Sequence, residues 1–99
     1  MDNIITPLND AQWAAQTTTY TGTAGTVTGW TQNAYAVAVV VTTAAYVRVG
    51  SAVTATTADL YVPANTQVFI RVPPDVNSFT VSAIQVASGG SVYAKPIAG

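Results

Sequence analysis

Ala34-Tyr35-Ala36-Val37-Ala38-Val39-Val40-Val41 decides the fold class. Tyr35, Val37, Val39 and Val41 alternate onto one face, and Ala34, Ala36, Ala38 and Val40 fill the other. That period of two is a strand period. Both faces are apolar, so the strand is expected to be central and covered on both sides. The run is eight residues long, well short of the ~20 needed by a membrane-spanning helix.

Composition extends this reading to the whole chain. Its 99 residues include 16 Thr, 15 Val and 17 Ala, but only 2 Leu and no Glu. Cβ-branched side chains lose freedom in a helix and suit a pleated surface. Further strands are expected at Thr26–Thr28, Ala45–Gly50, Leu60–Val62, Gln67–Val72, from Phe79 onward, and Ser91–Lys95. Gly22, Gly25 and Gly29 mark turns or bulges in a Thr-rich stretch. Pro63-Ala64-Asn65-Thr66 reads as the turn of a hairpin, as does Ser88-Gly89-Gly90. After Ala83 the apolar phase switches to Ile84 and Val86, which predicts a bulge or kink near Ala83-Ile84. About seven short strands in one all-β domain argue for a β-sandwich or a jelly-roll-like barrel over residues 17–99. Residues 1–16 read as an extended N-terminal arm with Trp13 as its anchor. They lack the basic start and apolar run of a secretory signal.

The residues exclude most chemistry. His, Cys and Glu are all absent. That removes Ser-His-Asp and Cys-His nucleophilic systems, the usual zinc ligands and the commonest general bases. Asp59 and Asp75 sit beside turns without an aspartic-protease motif and read as surface carboxylates. The Gly22–Gly29 stretch lacks the Gly-Lys-Ser/Thr ending of a phosphate loop. No enzymatic activity and no cofactor are expected.

Charge narrows the partners. Only seven residues are charged: Asp2, Asp10, Asp59, Asp75, Arg48, Arg71 and Lys95. That is 7%, against about 25% in an ordinary soluble domain. Three scattered cations cannot form a nucleic-acid footprint, and no membrane contact is expected. So few charges suit a chain that covers its surface with copies of itself or with a larger assembly. Trp, Tyr and Arg are enriched at interface hot spots, so Trp13, Trp30, Tyr46 and Arg71 are the candidate anchors. Arg48 and Arg71 interrupt apolar strands and are expected to face solvent or pair across a contact. A stacking face for carbohydrate, built from the five Tyr and two Trp, is the alternative use of the aromatics.

The C-terminal half carries a resemblance. Ala45-Tyr46-Val47-Arg48-Val49-Gly50 is followed by an Ala/Thr-rich loop, then Ala58-Asp59-Leu60-Tyr61-Val62-Pro63-Ala64-Asn65. Val68-Phe69-Ile70-Arg71-Val72-Pro73-Pro74 comes next, and the pattern closes on Ala87-Ser88-Gly89-Gly90-Ser91-Val92-Tyr93. This order resembles small virion proteins of tailed bacteriophages linked to head structure. The resemblance implies a head decoration (cement) protein on the outer surface of the phage head. Such proteins bind the icosahedral shell as homo-oligomers, often trimers, and bridge major capsid protein subunits. Tail, neck or fibre components of the virion, and a glycan-binding sandwich for host attachment, are the alternatives.

Overall fold

The computed structural model describes residues 6–7, 13–74 and 76–98. Among them are nine strands: β1 (Thr6–Pro7), β2 (Gln16–Tyr20), β3 (Gly25–Thr26), β4 (Ala36–Val41), β5 (Ala45–Gly50), β6 (Leu60–Val62), β7 (Val68–Arg71), β8 (Thr80–Gln85) and β9 (Gly90–Ala98). They form two antiparallel sheets. In the larger, the order is β1-β9-β4-β7, with β2 pairing β9 as well; in the smaller it is β3-β8-β5-β6. The fold is a β-sandwich.

The core is the alternation of β4 made three-dimensional. Val37, Val39 and Val41 point inward and are fully buried, beside Val92 and Ala94 of β9. Ala45 and Val47 of β5, Val62 of β6, and Val81 and Ala83 of β8 close on them from the smaller sheet. Aromatic side chains seal both ends. Trp30 stacks on Phe79 beyond the Gly50 end of β5, with ring centroids 4.9 Å apart. At the Ala45 end, the Tyr20 hydroxyl donates to the carbonyl oxygen of Thr43 and accepts its N–H at 3.3 Å. β4 lies between β9 and β7 and has five of its six residues buried, as its two apolar faces require.

Three local expectations are corrected. Leu60–Val62 and Gln67–Val72 do not form a hairpin, because β6 pairs β5 in the smaller sheet and β7 pairs β4 in the larger. The Pro63–Thr66 turn instead carries the chain across the sandwich. Asn65 takes a φ of 58° there, and its N–H bonds the Val41 carbonyl at 2.7 Å. Ser88-Gly89-Gly90 likewise links β8 to β9 in opposite sheets. A short turn between two apolar runs does not distinguish a hairpin from a change of sheet, since both bury alternate residues.

The bulge at Ala83-Ile84 is absent. β8 pairs β5 without a break from Thr80 to Gln85. Ile84 faces outward opposite Tyr46, which itself opposes Tyr61. The apolar phase changes because the outer face becomes apolar there, and the backbone does not slip.

Of the stretch read as an arm, most lies outside the described residues. Within it, Thr6–Pro7 pairs β9 and the half-buried Trp13 packs on the core.

One polar side chain is fully buried on the outer side of the smaller sheet. The Ser82 hydroxyl accepts the Ala55 N–H at 2.9 Å and the Thr26 hydroxyl at 2.9 Å, and donates to the Gly25 carbonyl at 3.3 Å. It thereby clasps the 51–57 loop and β3 onto β8. Ser82→Ala strands the buried Ala55 N–H, which costs about 1–3 kcal/mol. Hydrogen exchange checks this: the Ala55 amide should lose protection in the variant while β4 amides keep their order.

Candidate functional site

The outer face of the larger sheet is laid out by its register. One row across β7, β4 and β9 reads Phe69, Ala38, Lys95, and the next reads Arg71, Ala36, Ile97. On the other side of the first row, Val40 stands beside Tyr93. Small residues thus run along β4, with longer side chains on the strands flanking them. The result is a shallow trough over β4 in which Ala36, Ala38 and Ile97 are already buried, at 4–5% exposure. Its aromatic walls are accessible: Phe69 is 50% exposed and Tyr93 51%. A hollow of about 120 Å³ opens in it, lined by Ala38, Val40, Gln67, Tyr93 and Lys95 among others.

Both cations of this face are positioned. The Arg71 guanidinium lies over the ring of Tyr35, 5.2 Å from its centroid, a cation–π geometry. Lys95 Nζ donates to the Trp13 carbonyl at 2.9 Å. The third cation, Arg48, stands on the outer face of the smaller sheet and pairs with Asp59 at 3.1 Å. Asp59 also accepts the Thr56 N–H at 2.7 Å, so the same carboxylate caps its own turn. Arg48 thus faces solvent, with a partner inside the chain. That smaller face has its own apolar pair, with Tyr46 and Tyr61 edge to face at 6.1 Å. Asp75 lies outside the described residues.

The four expected anchors do not converge. Trp30 is only 3% exposed, and its Nε1–H is spent on the Ala14 carbonyl at 2.8 Å. It is a core residue with almost no surface to offer a partner, because the open end of the sandwich needs a large ring to close it. Trp13 is half-buried against the same core. Tyr46 and Arg71 are accessible but belong to opposite faces. Phe69 and Tyr93, which dominate the larger face, were not among the expected anchors, and neither was Tyr35, which precedes β4 and, contrary to the expected alternation, is 53% exposed beneath Arg71 while Val37, Val39 and Val41 are buried. Strand alternation carried a signal for the first two: Phe69 shares a phase with Arg71, and Tyr93 with Lys95.

The chain matches no family model, no curated protein and no solved structure.

Proposed function

We propose that this chain is a structural virion protein: a decoration protein that binds the outside of a tailed-phage head as a homo-oligomer, with a trimer favoured, and bridges major capsid subunits. The observation that carries the reading is the trough on the larger sheet. It presents about half of Phe69 and Tyr93 to solvent on a domain with few charges. A patch of that kind is a contact surface, and covering it recovers the apolar area still exposed. The order of motifs from Ala45 to Tyr93 supports the phage head as the setting. A role in bridging needs no bound cofactor, only flat contacts with few charges to desolvate.

Immunogold labelling of purified virions tests the reading. Label spread over the whole shell is the expected result. Label at one vertex moves the chain to the neck, tail or fibre, and no label overturns a virion role. The double variant Phe69→Ser, Tyr93→Ser should fold and lose occupancy. Each ring already has half its surface covered, so each loss is worth about 1 kcal/mol, and the pair about thirtyfold in affinity.

A further inference from the structure

β7 is the outer strand of the larger sheet. It pairs with β4 on one side, and among the described residues no strand lies on its other side. The N-terminal strands β1 and β2 are anchored on β9, at the opposite edge. Two hydrogen bonds fix which way the β7 backbone groups point. One step beyond the Ala36–Arg71 pair, the Val72 N–H donates to the Tyr35 carbonyl, so Val72, Ile70 and Val68 turn their backbone groups toward β4. On the other flank of β4, the Thr42 N–H donates to the Ser91 carbonyl opposite it, which demands the same alternation. Gln67, Phe69 and Arg71 therefore turn their N–H and C=O groups outward along the edge.

The core is unfinished along that edge. Val37 and Val39 are fully buried, while Ile70 and Val68 opposite them are only partly buried. Across the sandwich, Leu60 of β6 opposes Val47 in register and is 54% exposed, against 2% for Val47. The other lateral side is closed, since the main chains of β2 and β3 meet at Thr19 and Gly25. Proteins blunt free edges with prolines, bulges or very short strands. β6 has three residues and stops at Pro63. β7 holds an unbroken register from Val68 to Arg71 and contains no proline, so it is the edge left open to pairing.

We infer that β7 pairs antiparallel with β7 of a second copy about a two-fold axis at Phe69, joining the two larger sheets into one. The segment Gln67-Val68-Phe69-Ile70-Arg71 complements its own reverse. With Phe69 opposite Phe69 of the partner copy, Gln67 meets Arg71 and Val68 meets Ile70. Two hydrogen bonds form in each of the three pairs whose backbone groups point outward. On the interior side, Val68 and Ile70 gain apolar neighbours where the core is open. On the outer side, the half-exposed Phe69 rings stand together, and each Arg71 faces an amide. An axis at Arg71 would oppose two cations. Axes at Val68 or Ile70 bring only two outward pairs together before they meet Asn65, whose N–H is taken by Val41, or Pro73, which has none. A ladder this short buries less than the ~1,200 Å² of a stable complex, so a dissociation constant of about 0.1 mM is expected. A two-fold contact does not close a trimer; on a shell it links one oligomer to the next. The inference stands on the isolated chain and does not rest on the function proposed above.

Sedimentation and hydrogen exchange of the purified protein from about 0.01 to 2 mM test it. The mass should rise toward a dimer. The Phe69 and Arg71 amides should exchange freely when dilute and slow severalfold as the dimer forms, while the Val68 and Ile70 amides stay protected throughout. Gln67→Glu sets a carboxylate against Arg71 of the partner copy at both ends of the ladder. It should tighten association about tenfold, a gain lost in roughly 0.5 M salt. Gln67→Arg opposes cations at both ends and should weaken association about tenfold or more. Gln67 is exposed and its backbone groups face away from β4, so both variants keep the fold, which circular dichroism checks. A monomer across the whole range overturns the inference. An oligomer whose Phe69 and Arg71 amides still exchange freely overturns it too, because it uses another surface. So does a response in which the two Gln67 variants shift association in the same direction or leave it unchanged. Virions lacking the chain would sink the head reading and leave this result standing.

Discussion

Trp30→Ala is expected to lower stability by about 3–5 kcal/mol, the range for removing a large aromatic from a core. The residue is 3% exposed, stacks on Phe79 at 4.9 Å and donates to the Ala14 carbonyl at 2.8 Å. Its backbone also exchanges two hydrogen bonds with Phe79, at 2.9 and 3.0 Å. Truncation leaves those backbone bonds in place and empties the end of the sandwich between the sheets. A domain of this size commonly has only about 5–15 kcal/mol to lose. The midpoint in a guanidinium titration should fall accordingly. Trp30→Phe keeps a ring against Phe79 but abandons the Ala14 carbonyl, and should cost roughly 1–2 kcal/mol more than wild type through that unmade bond and the lost volume. A drop below about 1 kcal/mol for the alanine variant would mean that this end of the core collapses onto the gap.

Gly25→Ala should be nearly as damaging for an unrelated reason. A Cβ on Gly25 would stand 1.8 Å from the carbonyl oxygen of Thr19 and 2.9 Å from its carbon. Both are backbone atoms of β2, so no side chain can rotate out of the way. β2 belongs to the larger sheet and β3 to the smaller, and here their main chains run close together along one edge of the sandwich. Making room means moving one sheet relative to the other, which costs about 3 kcal/mol or more. Gly22→Ala is the control. Its nearest atom is the Gln85 side-chain nitrogen at 3.7 Å, an ordinary contact. Thermal unfolding of the two variants should separate them clearly, and equal midpoints would refute the close approach at Gly25.

Legibility in the sequence tracked how strongly each strand alternates. β5 and β6 have the expected bounds, and β4 and β7 differ only at their ends, because each sets apolar against small or polar neighbours. β2 escaped notice because Gln16-Thr17-Thr18-Thr19-Tyr20 has almost no apolar contrast. It is held by pairing with β9 and by Gln16, whose side-chain amide donates to and accepts from the Gly29 backbone at 2.7 Å each way. β9 runs past Lys95 through Pro96, where a strand normally stops. The proline falls between the registers of β2, which ends at Ala94, and β1, which begins at Ile97, so that edge has no ladder partner to lose. The interaction face was half legible. Arg71 and Tyr46 stand out as residue types, but the trough depends on which strands flank β4. Strand order is set by pairings between distant parts of the chain, so no local pattern announced that Phe69 and Tyr93 would share a face.

The position of β9 has a consequence for how the chain is made. β9 is late in the sequence yet sits inside the larger sheet, with β4 on one side and β1 and β2 on the other. Until its residues have left the ribosome, β2 has no strand to pair with and β4 has one edge open. Folding of this sheet therefore waits on the arrival of β9. It waits on closure of a loop spanning most of the chain, a topology that folds slowly for its size. The apolar strands that later form the core are exposed throughout that interval, when aggregation competes with folding.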